Sequence, residues 1–306
     1  MWRRQPVEWR LRRRALRLGE RTLVMGVVNI TPDSFSDGGL YLQADAAIEH
    51  GLRLLHEGAD LLDLGAESTR PGSRAGDSSA GVSAAVSAEE EQARLLPVIE
   101  GLLRARPEAI LSVDTYKAST ARAALAAGVE IVNDVSGFSW DAGMAQVCAE
   151  AGCGVVLMHT RGKPDQWRAQ PQLPSDAVLA TVRAGLEASL QIALAAGVAP
   201  EAIVLDPGYG FGKRFGENYA LLARQDELLA LGRPLLAGVS RKSFLARTLA
   251  DSLPAADGQV SAEARETASV AALVTAILHG ASIVRVHSVR SAVEAAAIAD
   301  AVFAAG

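Results

Sequence analysis

Eight short runs of aliphatic and β-branched residues recur along this chain, and Ala- and Leu-rich stretches with helical spacing lie between them. The runs are Thr22 to Val28, Asp60 to Leu64, Ile110 to Val113, Glu130 to Asn133, Gly154 to Met158, Ile203 to Leu205, Pro234 to Val239 and Ser282 to Val286. Helical patterns include Asp45 to Glu57, Ala88 to Arg104, Ala118 to Ala127, Asp176 to Ala196 and Thr267 to His279. Strands that are apolar throughout cannot face water on one side, so they read as a parallel sheet covered on both faces. Eight such units predict a closed α/β barrel, a (β/α)8 TIM barrel. The structural alternative, an open doubly wound sheet, favours a Gly-x-Gly-x-x-Gly turn after the first strand. Here that strand runs instead into Asn29-Ile30-Thr31-Pro32-Asp33. The 306 residues, which at ~150 residues per domain would allow two domains, therefore read as a single domain over 1–306.

Composition narrows the function classes. A net charge of -5 gives no basic face for bulk nucleic-acid binding, which works by displacing counterions. Cys148 and Cys153 form neither a disulfide framework nor a complete metal set, and they read as free thiols in a reducing compartment. The first 21 residues carry eight arginines but no following apolar run of the kind a secretory signal needs. Trp9, Leu11, Leu16 and Leu18 instead predict a short ribbon turning at Gly19-Glu20, so that 1–20 form a basic N-terminal β-hairpin closing the bottom of the barrel. The segment Ala268 to Leu278 is far shorter than the roughly 20 residues that span a bilayer. The expectation is a soluble, cytoplasmic protein with no nucleic-acid or membrane partner.

Barrels of this kind carry their chemistry where strands end and βα-loops begin. Those positions hold Asn29, then Asp63 and Glu67, Asp114, Asn133 and Asp134, His159, Asp206, Ser240 to Lys242, and Arg285 with His287. Any one of them can serve as a helix cap or a loop residue; polar groups at all eight ends predict a site. The chain has only four lysines against 26 arginines, and Lys117, Lys163, Lys213 and Lys242 all follow strands. Such a position calls for a compact amine rather than a planar fork, and Lys242, between Arg241 and Ser243, is the choice. Two loops stand out. Thr31 to Gly39 holds Asp33 and Asp37. Gly65 to Val86 runs without evident structure up to a capping box, Ser87-Ala88-Glu89-Glu90, and a loop of some twenty residues reads as a lid or binding loop. The glycines of Asp206-Pro207-Gly208-Tyr209-Gly210-Phe211-Gly212-Lys213 permit close backbone approach to a ligand. With Arg285, His287 and a capping box Ser291 to Glu294 opening the last helix, they point to an anionic ligand whose phosphate lies near a helix N-terminus. A flat heterocycle touching Asp114, Asn133 and Asp206 completes the picture.

The segments Met25 to Gly39, Glu67-Ser68-Thr69-Arg70-Pro71-Gly72, Ser112 to Thr115, Asn133 to Gly137, Met158-His159, Asp206 to Lys213 and Ser240-Arg241-Lys242 together resemble the dihydropteroate synthase family, in the family's order from about Trp9 to the C-terminus. The resemblance implies condensation of a dihydropterin methyl diphosphate with 4-aminobenzoate. By the family pattern Asp114, Asn133, Asp206 and Lys242 hold the pterin, and Asn29, Thr69, Arg285 and His287 meet the diphosphate. Asn29 helps hold Mg2+, the implied cofactor, while Thr69, Arg70, Pro71 and Ser243 lie by 4-aminobenzoate. Catalysis is implied for Asp33 or Asp37, whose charge faces a pterin methylene cation, and for Lys242 and Arg285. A homodimer is implied too. Ala66, Tyr116, Ser288 and the longer Ser73 to Val86 stretch depart from the family pattern, the last bearing on 4-aminobenzoate and sulfonamide binding. The rival readings are a pterin-dependent corrinoid methyltransferase, which needs no diphosphate site, a silent pterin-binding paralogue, and a sulfonamide-insensitive synthase.

Overall fold

The computed structural model describes residues 5–30, 40–67, 86–252 and 260–305. An antiparallel hairpin, β1 (Val7–Arg10) and β2 (Ala15–Leu18), precedes a closed parallel barrel. The barrel strands are β3 (Leu23–Asn29), β4 (Leu61–Gly65), β5 (Leu111–Asp114), β6 (Ile131–Asp134), β7 (Gly154–Met158), β8 (Ile203–Asp206), β9 (Leu235–Ala237) and β10 (Ala281–Val286). They neighbour one another in chain order, and β10 closes the ring on β3 with Val284 opposite Val24. The helices are α1 (Leu40–His56), α2 (Ala88–Ala105), α3 (Ala118–Ala126), α4 (Met144–Ala151), α5 (Ser175–Ala195), α6 (Phe215–Leu222), α7 (Ser243–Ser252), α8 (Ala262–Leu278) and α9 (Val289–Ala305). The closed barrel and its hairpin thus have the architecture read from the periodicity.

Local rules explain most boundaries. Ser87 caps α2, its Oγ accepting from the Glu90 N–H at 3.1 Å. α8 starts five residues before the expected Thr267, because Ser261 supplies the same cap to the Ala264 N–H at 3.1 Å. The capping box expected at Ser291 is not a helix start. α9 already begins at Val289, and Arg290 pairs with Glu294 within it at 3.3 Å. The hairpin turn also moves: the Leu11 N–H meets the Arg14 carbonyl at 2.8 Å, so the chain reverses at Leu11 to Arg14. Gly19, at φ +90°, instead turns β2 into β3, and its missing Cβ leaves room for the Gln5 carbonyl. Of the described helices α5 is long and apolar enough to cross a membrane by composition, which the sequence reading had not singled out. Its buried stripe of Val178, Leu179, Val182 and Leu186 belongs to the core that surrounds the strands.

Alternation along the strands places the site. In a barrel, every second residue of a strand faces the axis. Leu23, Met25, Leu61, Ile110, Ile131, Val156, Val204, Leu236 and Ile283 fill the lower interior, together with Trp9, Leu11 and Leu18 of the hairpin. The Trp9 indole N–H donates to the Ala202 carbonyl at 2.8 Å, which fixes the plug. Stepping two residues at a time from that apolar layer brings Asp63, Asp114, Asn133, Asp206, Arg285 and His287 to the upper interior.

Candidate active site

Asp63 is the centre of the mouth. Its Oδ2 accepts from Arg285 Nε at 2.6 Å and from Asn133 Nδ2 at 2.9 Å. Arg285 Nη2 donates to Asp114 Oδ2 at 2.7 Å, so one guanidinium bridges carboxylates from β4 and β5. Its Nη1 has no partner among the described residues, and Asp63 Oδ1 is buried without one. Sequence reading put Asp63 at a strand end but gave it no part in the site; stepping from the buried Leu61 would have aimed it inward.

Burial, the largest influence, raises the Asp114 pKa to about 7; Arg285 opposes this, and Asp63 adds to it. Burial likewise raises Asp206, against the Gly208 N–H that donates to its Oδ1 at 2.7 Å and against the positive charges of Lys242 and Lys213. Burial would lower the Arg285 pKa, yet the facing Asp63 and Asp114 carboxylates raise it, so the guanidinium stays charged. The Lys242 amine lies 4.0 Å from the Phe211 ring centroid. Burial brings its pKa down to about 8, with Asp206 resisting. Arg241, just before it, adopts φ 56°, a conformation a non-glycine residue rarely takes without a structural reason. Its N–H is held by Ser269 Oγ at 3.0 Å, which secures the corner that delivers Lys242 to the mouth.

The remaining expected residues divide by direction. Asn29 ends β3, half-buried, and His287 Nδ1 lies 3.1 Å from Ser240 Oγ. Ser243 is exposed at the start of α7. Asp33, Asp37, Thr69, Arg70 and Pro71 lie outside the described residues. Asp134 and His159 are one step out of phase with the axis-facing row. Asp134 accepts from the Ser136 and Phe138 N–H groups at 2.7 and 3.0 Å, holding a turn. The His159 ring packs against α5, where a Cβ on Gly185 would fall 2.3 Å from it. Burial drives the His159 pKa well down, so the ring is neutral.

Two of the lysines whose roles the sequence left open, Lys117 and Lys213, have roles in the structure. Lys117 Nζ meets Glu67 Oε2 at 2.5 Å and Glu91 Oε2 at 3.2 Å. Glu67 Oε1 accepts from the Val86 N–H at 3.3 Å, so Lys117 anchors both ends of the long loop after β4. Tyr116, one of the departures from the family pattern, sets its ring edge to face against Trp140 with centroids 5.1 Å apart. Lys213 is fully enclosed among backbone carbonyls, and burial takes its pKa to about 7 despite Asp206.

A barrel mouth lined by carboxylates, an amide and fixed cations suits a flat, hydrogen-bonding, anionic ligand, and the family model for "Pterin binding enzyme" matches residues 25–287. Dihydropteroate synthase of Mycobacterium leprae is 45% identical over 290 residues, covering 92% of this chain and 94% of its own length. That of Bacillus subtilis is 40% identical, with 95% and 92% covered. Among solved structures, the Xanthomonas albilineans dihydropteroate synthase with 4-aminobenzoic acid superposes with a TM-score of 0.83 at 41% identity, covering 97% of this chain and 98% of that one. The Yersinia pestis enzyme in a sulfonamide drug complex gives 0.84 at 38%, covering 98% and 100%. The chain belongs to the dihydropteroate synthase family.

Proposed function

We propose that this mouth carries out the dihydropteroate synthase reaction. The methylene carbon of (7,8-dihydropterin-6-yl)methyl diphosphate gives up its bond to a diphosphate oxygen and bonds to the amine nitrogen of 4-aminobenzoate, yielding 7,8-dihydropteroate, diphosphate and a proton. One observation carries the reading: Arg285 bridges Asp63 and Asp114 at the mouth of a barrel similar over nearly its whole length to a Xanthomonas albilineans synthase solved with 7,8-dihydropteroate.

In this reading Asp206 and Asp114 accept from the pterin amino and ring N–H groups, and Lys242 donates to its oxygen and nitrogen acceptors. Asn133 donates one Nδ2 N–H to Asp63, which leaves its second N–H and its Oδ1 for the pterin. A buried set of this kind rejects analogues that lack the complementary edge. As the C–O bond lengthens, negative charge grows on diphosphate, where Arg285 Nη1, His287, Asn29 and Thr69 receive it. The cationic pterin methylene is stabilised by Asp33 or Asp37. Thr69, Arg70, Pro71 and Ser243 hold 4-aminobenzoate in line, and no side chain acts as a nucleophile.

Among the described residues no group of three His, Cys, Asp or Glu side chains could hold a metal. Asn29 offers one amide oxygen, which fits Mg2+, an ion that takes few protein ligands and completes its shell with phosphate oxygens and water. Bound there, Mg2+ would help neutralise the departing diphosphate.

The test combines purified protein, Mg2+, the dihydropterin diphosphate and 4-aminobenzoate, and reads diphosphate and dihydropteroate. Turnover supports the reading and its absence overturns it; a sulfonamide in the same assay reports on the long loop. Asp206→Ala should abolish pterin binding by calorimetry. The homodimer is proposed through α9, where Ile298 is 68% and Val302 44% exposed one turn apart. Sedimentation of Ile298→Asp should show monomer where the unaltered chain shows dimer.

A further inference from the structure

Lys213 takes no part in the ligand contacts just described, yet of the four lysines it is the buried one. Its Nζ lies 2.7 Å from the Gly208 carbonyl oxygen, 3.2 Å from that of His159 and 3.3 Å from that of Phe211. No carboxylate of the described residues comes within ion-pair distance of it. A neutral amine has two N–H donors and an ammonium three, so three converging acceptors call for the charged form. The acceptors come from two places: His159 follows β7, while Gly208 and Phe211 lie in the glycine loop after β8.

We propose that Lys213 is a positioning residue whose ammonium acts as a built-in monovalent cation, clamping the β7 and β8 loops together and thereby fixing the Asp206 carboxylate in its ligand-accepting pose. The link runs through Gly208. Its carbonyl accepts from Lys213, and its N–H donates to Asp206 Oδ1 at 2.7 Å. Gly208 holds φ +70°, and a Cβ there would fall 2.0 Å from the His159 carbonyl oxygen, so any side chain would break the clamp. With Oδ1 tied down, Oδ2 is the Asp206 atom that remains for a ligand, on the side of Gly238. The loop's far end is fixed separately: Asn218 accepts from the Gly210 N–H at 2.7 Å and donates to the Lys213 carbonyl at 3.2 Å.

This inference rests on the reading that Asp206 holds the pterin, and the test separates the two. Lys213→Ala empties the cage but leaves its three carbonyls, a site that methylammonium can enter. Lys213→Met fills the cage with an uncharged chain of similar length. Dihydropterin diphosphate binding by calorimetry should weaken at least about tenfold in both, the scale on which misplaced site groups act. Methylammonium chloride, but not tetramethylammonium chloride at equal ionic strength, should restore the affinity and raise the Tm of Lys213→Ala, and should do neither for Lys213→Met. Unaltered affinity in Lys213→Ala, or a loss that methylammonium repairs in neither affinity nor Tm, overturns the clamp. Repair of Tm alone, with the unaltered protein binding pterin, overturns the link to Asp206. If the unaltered protein binds no pterin, the reading of Asp206 fails, while repair of Tm still supports the clamp.

Discussion

The two ends of this barrel both bury charge and balance it in opposite ways. At the hairpin end one buried carboxylate, Glu130, faces two guanidinium groups, Arg13 at 3.4 Å and Arg14 at 3.0 Å, and also accepts the Arg13 N–H at 3.1 Å. At the mouth one guanidinium, Arg285, faces two carboxylates, and Asp63 Oδ1 lacks a partner among the described residues. A saturated polar network fixes structure, whereas a partly satisfied one keeps hydrogen-bonding capacity at a cost in stability. The closed end is thus built to hold and the open end to bind.

The largest expected effect breaks the closed end alone. Trp9→Ala removes a fully buried indole and should lower unfolding free energy by about 3–5 kcal/mol in denaturant titration, leaving the substrate constants of the folded enzyme unchanged. At the mouth the loss should fall on activity instead. Asp63→Asn takes a charge-assisted partner from Arg285 and should lower kcat/KM by about 1.5–3 kcal/mol, roughly 10- to 100-fold.

A pH profile sharpens the contrast. In the proposed reading the pterin N–H groups need ionised Asp114, whose pKa is about 7, so kcat/KM should rise as pH approaches that value from below. Lys242 loses its proton above about 8, and Lys213, whose ammonium the clamp needs, above about 7, so kcat/KM should fall on the alkaline side. Asp114→Asn should flatten the acid limb; a profile level from pH 6 to 9 in the unaltered enzyme would contradict both assignments. Asp114 also sets a sign for stability. The folded carboxyl keeps its proton up to about 7, while the unfolded one loses it near ~4, so its contribution is present at low pH and is lost as pH rises through about 7. The smallest effect belongs to Arg10→Ala at the hairpin surface. Its ion pair with Glu201 is about half exposed on both sides, and thermal melts should register less than about 1 kcal/mol.

The eight strands were legible because a buried parallel strand writes its position as an unbroken apolar run, and β7 matches its expected limits. β9 was shorter than expected, Leu235–Ala237, since Gly238 to Ser240 already bend toward the positive-φ corner at Arg241. The hairpin turn was missed because Gly19 gives a stronger local signal than the four residues Leu11 to Arg14, whose arginines are held by distant parts of the barrel. In the candidate site, strand ends named the residues, but only the two-residue phase shows which of them face inward. That phase separates Asp63 from Asp134 and keeps the His159 ring out of the mouth. The role of Lys117 depends on two carboxylates, Glu67 and Glu91, 50 and 26 residues away in the chain, a pairing that no local pattern encodes.

The hairpin plug also has a history in time. Trp9 docks on Ala202, 193 residues later in the chain, and its apolar neighbours include Ile283 of the strand that closes the ring. At translation rates of about 5–20 residues per second, roughly 10–40 s separate the emergence of that indole from the emergence of its acceptor. Until then the most water-averse surface of the N-terminal segment has nowhere to go. A nascent chain halted before residue 200 should therefore expose Trp9 to quenchers and to chaperones, and the same tryptophan should become shielded only once the ring is complete.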